Sequence, residues 1–119
     1  MKVSEIIGAY YRKKGEDPAR YLSALSQLLN IKGAVLLQEG DTVLLIVNIG
    51  DQKAELHLFT QESPLKVNSA VRKFVKKLKA SDIKMIYGEN DSQLPQILRS
   101  LKINAVPIDS PRYNWFARL

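Results

Sequence analysis

The sequence predicts one mixed α/β (α+β) domain over residues 1–119, with a mostly antiparallel central sheet and helices on both faces. Three observations predict it. Residues 33–60 read as an antiparallel meander of three strands, residues 67–78 carry one unbroken apolar helical stripe, and extended and helical segments alternate through 65–119. A chain of 119 residues, 45% hydrophobic and 25% charged, can bury a core without a disulfide or a metal.

The N-terminal helices occupy residues 4–31. In the first, Ser4 is the expected N-cap, Ile6, Ile7, Tyr10 and Tyr11 recur at helical spacing, and Gly15 ends the segment. Asp17-Pro18 opens the second, because aspartate accepts from the first amides and proline tolerates the first helical position. Its apolar stripe is Tyr21, Leu22, Leu25, Leu28 and Leu29.

The meander follows as Ala34–Leu37, a Glu39-Gly40-Asp41 turn, Thr42–Val47, an Ile49-Gly50-Asp51-Gln52 turn, and Lys53–Phe59. Its middle strand is apolar on both faces and is therefore central. In the third, Ala54, Leu56 and Leu58 face one way, and Glu55, His57 and Phe59 the other. Pro64 precedes a helix whose Val67, Ala70, Val71, Phe74, Val75 and Leu78 form a single stripe. Ile83–Tyr87 is the next strand, ending at Gly88. Asp91 or Ser92 caps a short helix with Leu94, Ile97, Leu98 and Leu101 inward and Pro95 in its first turn. Ala105–Ile108 and Tyr113–Arg118 close the chain as two strands around Asp109-Ser110-Pro111.

Composition excludes several chemistries. There is no cysteine, hence no disulfide scaffold, thiolate nucleophile or cysteine-ligated metal, and no metal site is expected. The longest apolar run, Val43–Val47, falls far short of the roughly 20 residues a membrane helix needs, and no secretory leader is visible. A cytoplasmic location and no membrane partner are expected. The formal net charge of +6 favours an anionic partner.

Much of that charge lies on one helix. Lys66, Arg72, Lys73, Lys76, Lys77, Lys79 and Lys84 are positive, and no acid occurs between Pro64 and Ser81. Arg72, Lys76 and Lys79 share one side, with Lys73 and Lys77 adjacent, all opposite the apolar stripe. Such a face suits phosphates, hence nucleic acid, or an acidic protein surface. The Arg112-Tyr113-Asn114-Trp115-Phe116-Ala117-Arg118 run is rich in interface residue types and could pair by its edge with a partner strand.

From the first strand onward, this order resembles the GNAT family of N-acetyltransferases, in which a meander, a helix, a strand, a second helix and a closing hairpin follow one another. The resemblance covers residues 4–119 and lacks only the usual first strand. Ala54–Phe59 stands for the family's fourth strand, Val67–Lys79 for its cofactor helix, and Ile86-Tyr87-Gly88-Glu89-Asn90 for the end of its fifth strand. More narrowly, the chain is similar to short GNAT-like proteins that tailed bacteriophages encode among their virion and assembly genes. These share the basic helix, a strand ending near Gly-Glu-Asn and an aromatic closing strand.

If the resemblance extends to activity, acetyl-CoA is the cofactor, held by Lys66, Val67, Asn68, Ser69, Ala70 and Asn90. Glu55 and His57 are then the candidate bases, with Tyr113 or Tyr87 as the acid. The family's Arg/Gln-x-x-Gly-x-Gly/Ala turn lets backbone amides close around a pyrophosphate. Here Gln61-Glu62-Ser63-Pro64-Leu65-Lys66-Val67-Asn68-Ser69-Ala70 contains no glycine, Pro64 removes a donor and Glu62 adds a like charge. The expectation is therefore a non-catalytic, phage-type GNAT-like protein without cofactor, acting in virion structure or assembly through protein contacts or self-association, in host cytoplasm and virion. The alternatives are a divergent acetyl-CoA-dependent N-acetyltransferase and a basic nucleic-acid-binding module.

Overall fold

A computed structural model describes residues 1–30, 33–89 and 93–119. Its elements are α1 (Val3–Lys13), α2 (Pro18–Leu29), β1 (Ala34–Glu39), β2 (Thr42–Gly50), β3 (Lys53–Thr60), α3 (Pro64–Lys79), β4 (Met85–Gly88), α4 (Leu94–Ser100), β5 (Val106–Pro107) and β6 (Trp115–Arg118). The six strands form one sheet in the order β1-β2-β3-β4-β6-β5. Every neighbouring pair is antiparallel except β3–β4, which α3 joins by a crossover.

Alternation along the central strands divides the apolar residues between two faces. Leu44, Ile46, Ala54, Leu56 and Leu58 enter the larger core with Val67, Val71, Phe74 and Leu78 of α3 and Leu94 and Leu98 of α4. Val43, Leu45 and Phe59 pack on the opposite face with Ile6 and Ile7 of α1. Complete burial of such a side chain is worth about 1.5–3 kcal/mol over exposure, so α3 is held chiefly by its stripe. The expected two-faced middle strand is β2, buried from Thr42 to Ile46.

Turn geometry sets where β4 begins. Asp51 and Gln52 both have positive φ, 54° and 61°, the pairing that a tight two-residue hairpin turn requires. The Gln52 carbonyl accepts from the amides of Lys84 (2.7 Å) and Met85 (3.3 Å), so this turn anchors β4 beside β3. At the other end of β4, a Cβ on Gly88 would lie 2.4 Å from the fully buried Trp115 ring. Glycine is what lets that indole lie flat on the strand, its Nε1–H donating to the Glu89 carbonyl at 3.1 Å.

Several expectations are corrected. Ser4 lies inside α1; Lys2 is the cap residue, and its amide donates to the Glu5 carboxylate at 3.0 Å. Strand β4 starts at Met85 rather than Ile83 because the preceding residues serve the Gln52 anchor. The closing strands shrink to Val106–Pro107 and Trp115–Arg118. Strand β6 lies between β4 and β5, and β5 pairs only with its Trp115 and Phe116. The expected Asp91 or Ser92 cap lies outside the described residues.

Candidate active site

The site arises where the two parallel strands part. Strands β3 and β4 pair only over Lys53–Met85, Ala54–Ile86 and Glu55–Tyr87. Beyond Glu55, β3 runs on to Thr60 without β4 beside it, while the chain leaves β4 at Gly88. A cavity of about 240 Å³ opens there, bounded by Leu56, His57 and Leu58 of β3, Glu89 after β4, Phe59, and Tyr10, Tyr11 and Tyr21 from α1 and α2.

Pleating places Glu55 and His57 on the α1/α2 face of β3, two residues apart. Their side chains meet: His57 Nε2 lies 2.9 Å from Glu55 Oε1. The other carboxylate oxygen, Oε2, accepts from Arg112 Nη2 at 3.1 Å and from the Tyr113 hydroxyl at 3.4 Å. The Glu55 side chain is 9% exposed and that of His57 30%, so the histidine stands between the carboxylate and the opening. The hydrogen bond from His57 is the main cause holding the Glu55 carboxyl below its ordinary pKa, with the charges of His57 and Arg112 adding to it against the cost of burial. Burial first, and then the Glu55 charge, push the Tyr113 phenol up, so it remains a proton donor. In the tautomer that donates from Nε2, the Nδ1 lone pair of His57 is left available as a base.

A second, apolar cavity of about 190 Å³ adjoins the first under α2, lined by Ile7, Ala24, Leu25, Leu28 and Leu45. Tyr11, Tyr21, His57 and Phe59 line both cavities. The Tyr11 and Tyr21 rings stack at 3.8 Å, and Tyr10 meets Phe59 edge-on at 5.1 Å. The Glu16 carboxylate accepts from the Tyr21 hydroxyl and raises its pKa.

Of the predicted residues, the structure brings Glu55, His57 and Tyr113 together, with the Tyr87 ring 5.3 Å from that of Tyr113. Arg112 was read only as part of an interface-rich run, although it stands next to Tyr113. The tyrosines of α1 and α2 were read as helix stripe, and helical spacing alone cannot distinguish a ring that fills a core from one that walls a cavity. Glu89 carried no signal beyond its place after the strand. Among the described residues, no group of three His, Asp or Glu side chains could hold a metal ion.

The predicted cofactor residues fare differently. Val67 and Ala70 are buried in the core of α3, so only their backbone could face a ligand, and Asn90 lies outside the described residues. Lys66, Asn68 and Ser69 are exposed. Ser63 makes no side-chain cap bond, and the first helical bond is Val67 N–H to Ser63 O, leaving the Leu65 and Lys66 amides at an uncapped helix start. Glu62 lines a shallow cavity together with Glu39, Lys66, Ser69 and Lys73, and it is also bonded to the neighbouring hairpin. Its Oε1 accepts from the Asp41 amide at 2.8 Å and the Thr42 hydroxyl at 3.0 Å, closing the β1–β2 turn. A phosphate there would meet the Lys66, Asn68 and Ser69 side chains and two amides in place of a glycine cradle, with the carboxylates of Glu39 and Glu62 at the same cavity.

The basic face of α3 is exposed as expected at Arg72, Lys76, Lys77 and Lys79. Lys73 differs from the expected unopposed charge: its Nζ lies 3.5 Å from Glu39, an acid that β1 brings across from outside the helix. No helix among the described residues is long and apolar enough to cross a membrane.

No family model and no curated protein sequence matches the chain. Solved structures do. A domain from Methanocaldococcus jannaschii aligns over 87% of this chain and 79% of its own, with TM-score 0.60 and 15% identity. The ribosomal-protein-S18-alanine N-acetyltransferase of Escherichia coli aligns over 100% of this chain and 89% of its own, with TM-score 0.55 and 12% identity. A Salmonella typhimurium protein solved with its cofactor acetyl-CoA aligns over 87% of this chain and 73% of its own, with TM-score 0.54 and 9% identity. The chain thus has the fold of GNAT acetyltransferases.

Proposed function

We propose that this protein is an acyl-CoA-dependent amine acyltransferase of the GNAT type, reversing the order of preference that the glycine-free turn suggested from sequence. One observation carries the reading: the Glu55–His57 pair stands at the opening between β3 and β4, with Arg112 and Tyr113 completing it. The Glu55 carboxylate is buried while His57 and Arg112 reach solvent, so the group joins a desolvated anion to an accessible imidazole, an arrangement suited to proton transfer.

In this reading His57 Nδ1 accepts the proton of the attacking amine. Glu55 orients the imidazole and stabilises the imidazolium that forms, and the His57 hydrogen bond, with the Arg112 charge adding to it, favours the ionised Glu55 carboxylate. Tyr113, held protonated, is the acid. Acetyl-CoA, as in the Salmonella protein, would supply the activated acyl group, with Lys66, Asn68, Ser69 and the first amides of α3 toward its phosphates. The test is turnover of acetyl-CoA with an amine panel, beside thermal melting with coenzyme A. A ligand at 100 times its Kd stabilises a fold by about 2.7 kcal/mol, several degrees here. His57→Ala is expected to lower turnover by about 10²–10⁴-fold while the melting shift persists.

A second reading, the non-catalytic phage-type virion or assembly protein, is favoured by the lack of glycine before α3 and by Leu65, 83% exposed in its first turn. Its docking surface would be the basic face of Arg72, Lys76, Lys77 and Lys79. Absence of both turnover and a coenzyme A shift would bring it forward. On that same face, a salt-sensitive gel shift lost in a Lys73→Glu, Lys77→Glu double variant would instead support the nucleic-acid module.

A further inference from the structure

The sheet ends in two unlike edges. At one end β5 is the short Val106–Pro107, and its proline has no amide to offer a further strand. At the other, β1 runs over Ala34–Glu39 with no proline and no charge before Glu39. The Asn48 amide donates to the Gly33 carbonyl at 2.9 Å, which fixes the phase of the ladder. Val35, Leu37 and Glu39 therefore turn their backbone groups to β2. Ala34, Leu36 and Gln38 turn theirs outward, where no strand among the described residues pairs with them. The N-terminus meets this edge at its Gln38 end, where the Gln38 side chain donates to the Met1 carbonyl. Bare apolar edges template strand pairing, and folded chains ordinarily blunt them with lysine, proline or a bulge.

Beside that edge lies an apolar hollow of about 260 Å³, walled by Val35, Leu37, Ile46, Leu78 and Ile83. Val35 is 49% exposed at its mouth. A strand added to β1 would run about 4.8 Å away, close enough for its side chains on the α3 side to cover Val35 and enter the hollow. The charge around the hollow has one sign: Lys77 lines it and no carboxylate does. Lys73, one helical turn earlier, reaches Glu39 of β1 at 3.5 Å, so the lysine row of α3 runs alongside the edge, with Lys76 exposed next to it. We infer that β1 is a docking edge for an extended segment of a partner protein, a short apolar run flanked by aspartate or glutamate. Its backbone pairs with Ala34, Leu36 and Gln38, its apolar side chains enter the hollow, and its carboxylates meet Lys76 and Lys77. A second copy is the poorer occupant. Antiparallel β1–β1 pairing would turn both α3 helices to the same side of the joined sheet and bring lysines toward lysines. Docking here needs no acyl transfer, since Glu55 and His57 lie on the opposite face of the sheet.

The experiment is titration of the full chain with a synthetic peptide, a short run of valines flanked by glutamates, followed by fluorescence anisotropy and amide hydrogen exchange. The peptide is expected to slow exchange at the Ala34, Leu36 and Gln38 amides. Those of Val35, Leu37 and Glu39, already bonded to β2, should change little. The same peptide with lysine for glutamate is expected to bind about tenfold more weakly, and so is the glutamate peptide on Lys77→Glu, a change at an exposed position. Leu36→Pro removes one outward donor without touching the β1–β2 ladder and should weaken the peptide by a similar factor. Lys77→Glu carries the test should Leu36→Pro fail to fold. Equal binding of the two peptides, no binding up to millimolar peptide, or binding that leaves the three outward amides exchanging as before would overturn the inference. Protection of those amides that appears without peptide and grows with protein concentration would put a second copy at the edge, and would overturn it as well.

Discussion

The two faces of the sheet are built differently. Toward α3 and α4 the centre of the core is closely packed, with Phe74, Trp115, Ile86 and Leu98 at 1% exposure or less, and the cavity on that side, about 260 Å³, lies out under edge strand β1, against Leu37, Ile46 and Leu78. Toward α1 and α2 the buried apolar cluster among the described residues is Ile6, Ile7, Val43, Leu45 and Phe59, and around it lie half-buried tyrosines, a carboxylate–histidine pair and two cavities. A close-packed interior has no room for a ligand, and a roomy one contributes less stability. The difference teaches that this chain concentrates its apolar burial on one face and sets the buried Glu55 carboxylate on the other.

The comparison breaks most readily at its packed side. Phe74→Ala is expected to cost about 3–5 kcal/mol in urea unfolding, whereas Leu25→Ala under the cavity should cost only about 1 kcal/mol, since a half-exposed leucine loses part of the transfer term. Equal losses at the two positions would show the faces to be equivalent. Gly88→Ala is expected to cost about 2–3 kcal/mol, because the new methyl meets the Trp115 ring, which has nowhere to move. Its checks are the melting temperature and the near-ultraviolet circular dichroism of the indole.

The open side is sharpened by pH. Glu55 is held below its ordinary pKa, so its contribution to stability is complete above the unfolded value and lost as the pH falls through the lower, folded one. Denaturant melts should therefore show wild type losing stability below about pH 4 more steeply than Glu55→Gln. Parallel curves would mean that the carboxylate is not held as the geometry implies. The smallest effect is expected at the turn between β2 and β3. Gln52→Gly relieves a left-handed conformation worth about 1–2 kcal/mol but adds freedom to the unfolded chain, for a net gain of about 0.5 kcal/mol. A measurable loss would show instead that the Gln52 side chain supports β4.

Much of the fold was legible in the sequence because periodicity is a local property. The stripe of α3, the two-faced β2 and the alternation of Glu55, His57 and Phe59 follow from spacings of 3.6 and 2 residues. The alternation even placed two of the candidate site residues on the correct face. Helix ends were less legible: Ser4 is a good cap residue by type, yet the Lys2 amide found the Glu5 carboxylate one residue earlier.

What one chain of letters determined here is the class of fold, the order of its elements, the residues that turn inward, and the basic face of α3. Only tertiary structure decided that Arg112 and Tyr113, 57 and 58 residues from Glu55, close on its second oxygen. It also turned Glu62 onto the β1–β2 hairpin, set Glu39 against Lys73, and enclosed β6 between two neighbours. The physical reason is the same in each case. A repeat along a strand or helix is written in neighbouring residues, whereas a contact across the sheet depends on register and crossover, which no local pattern records.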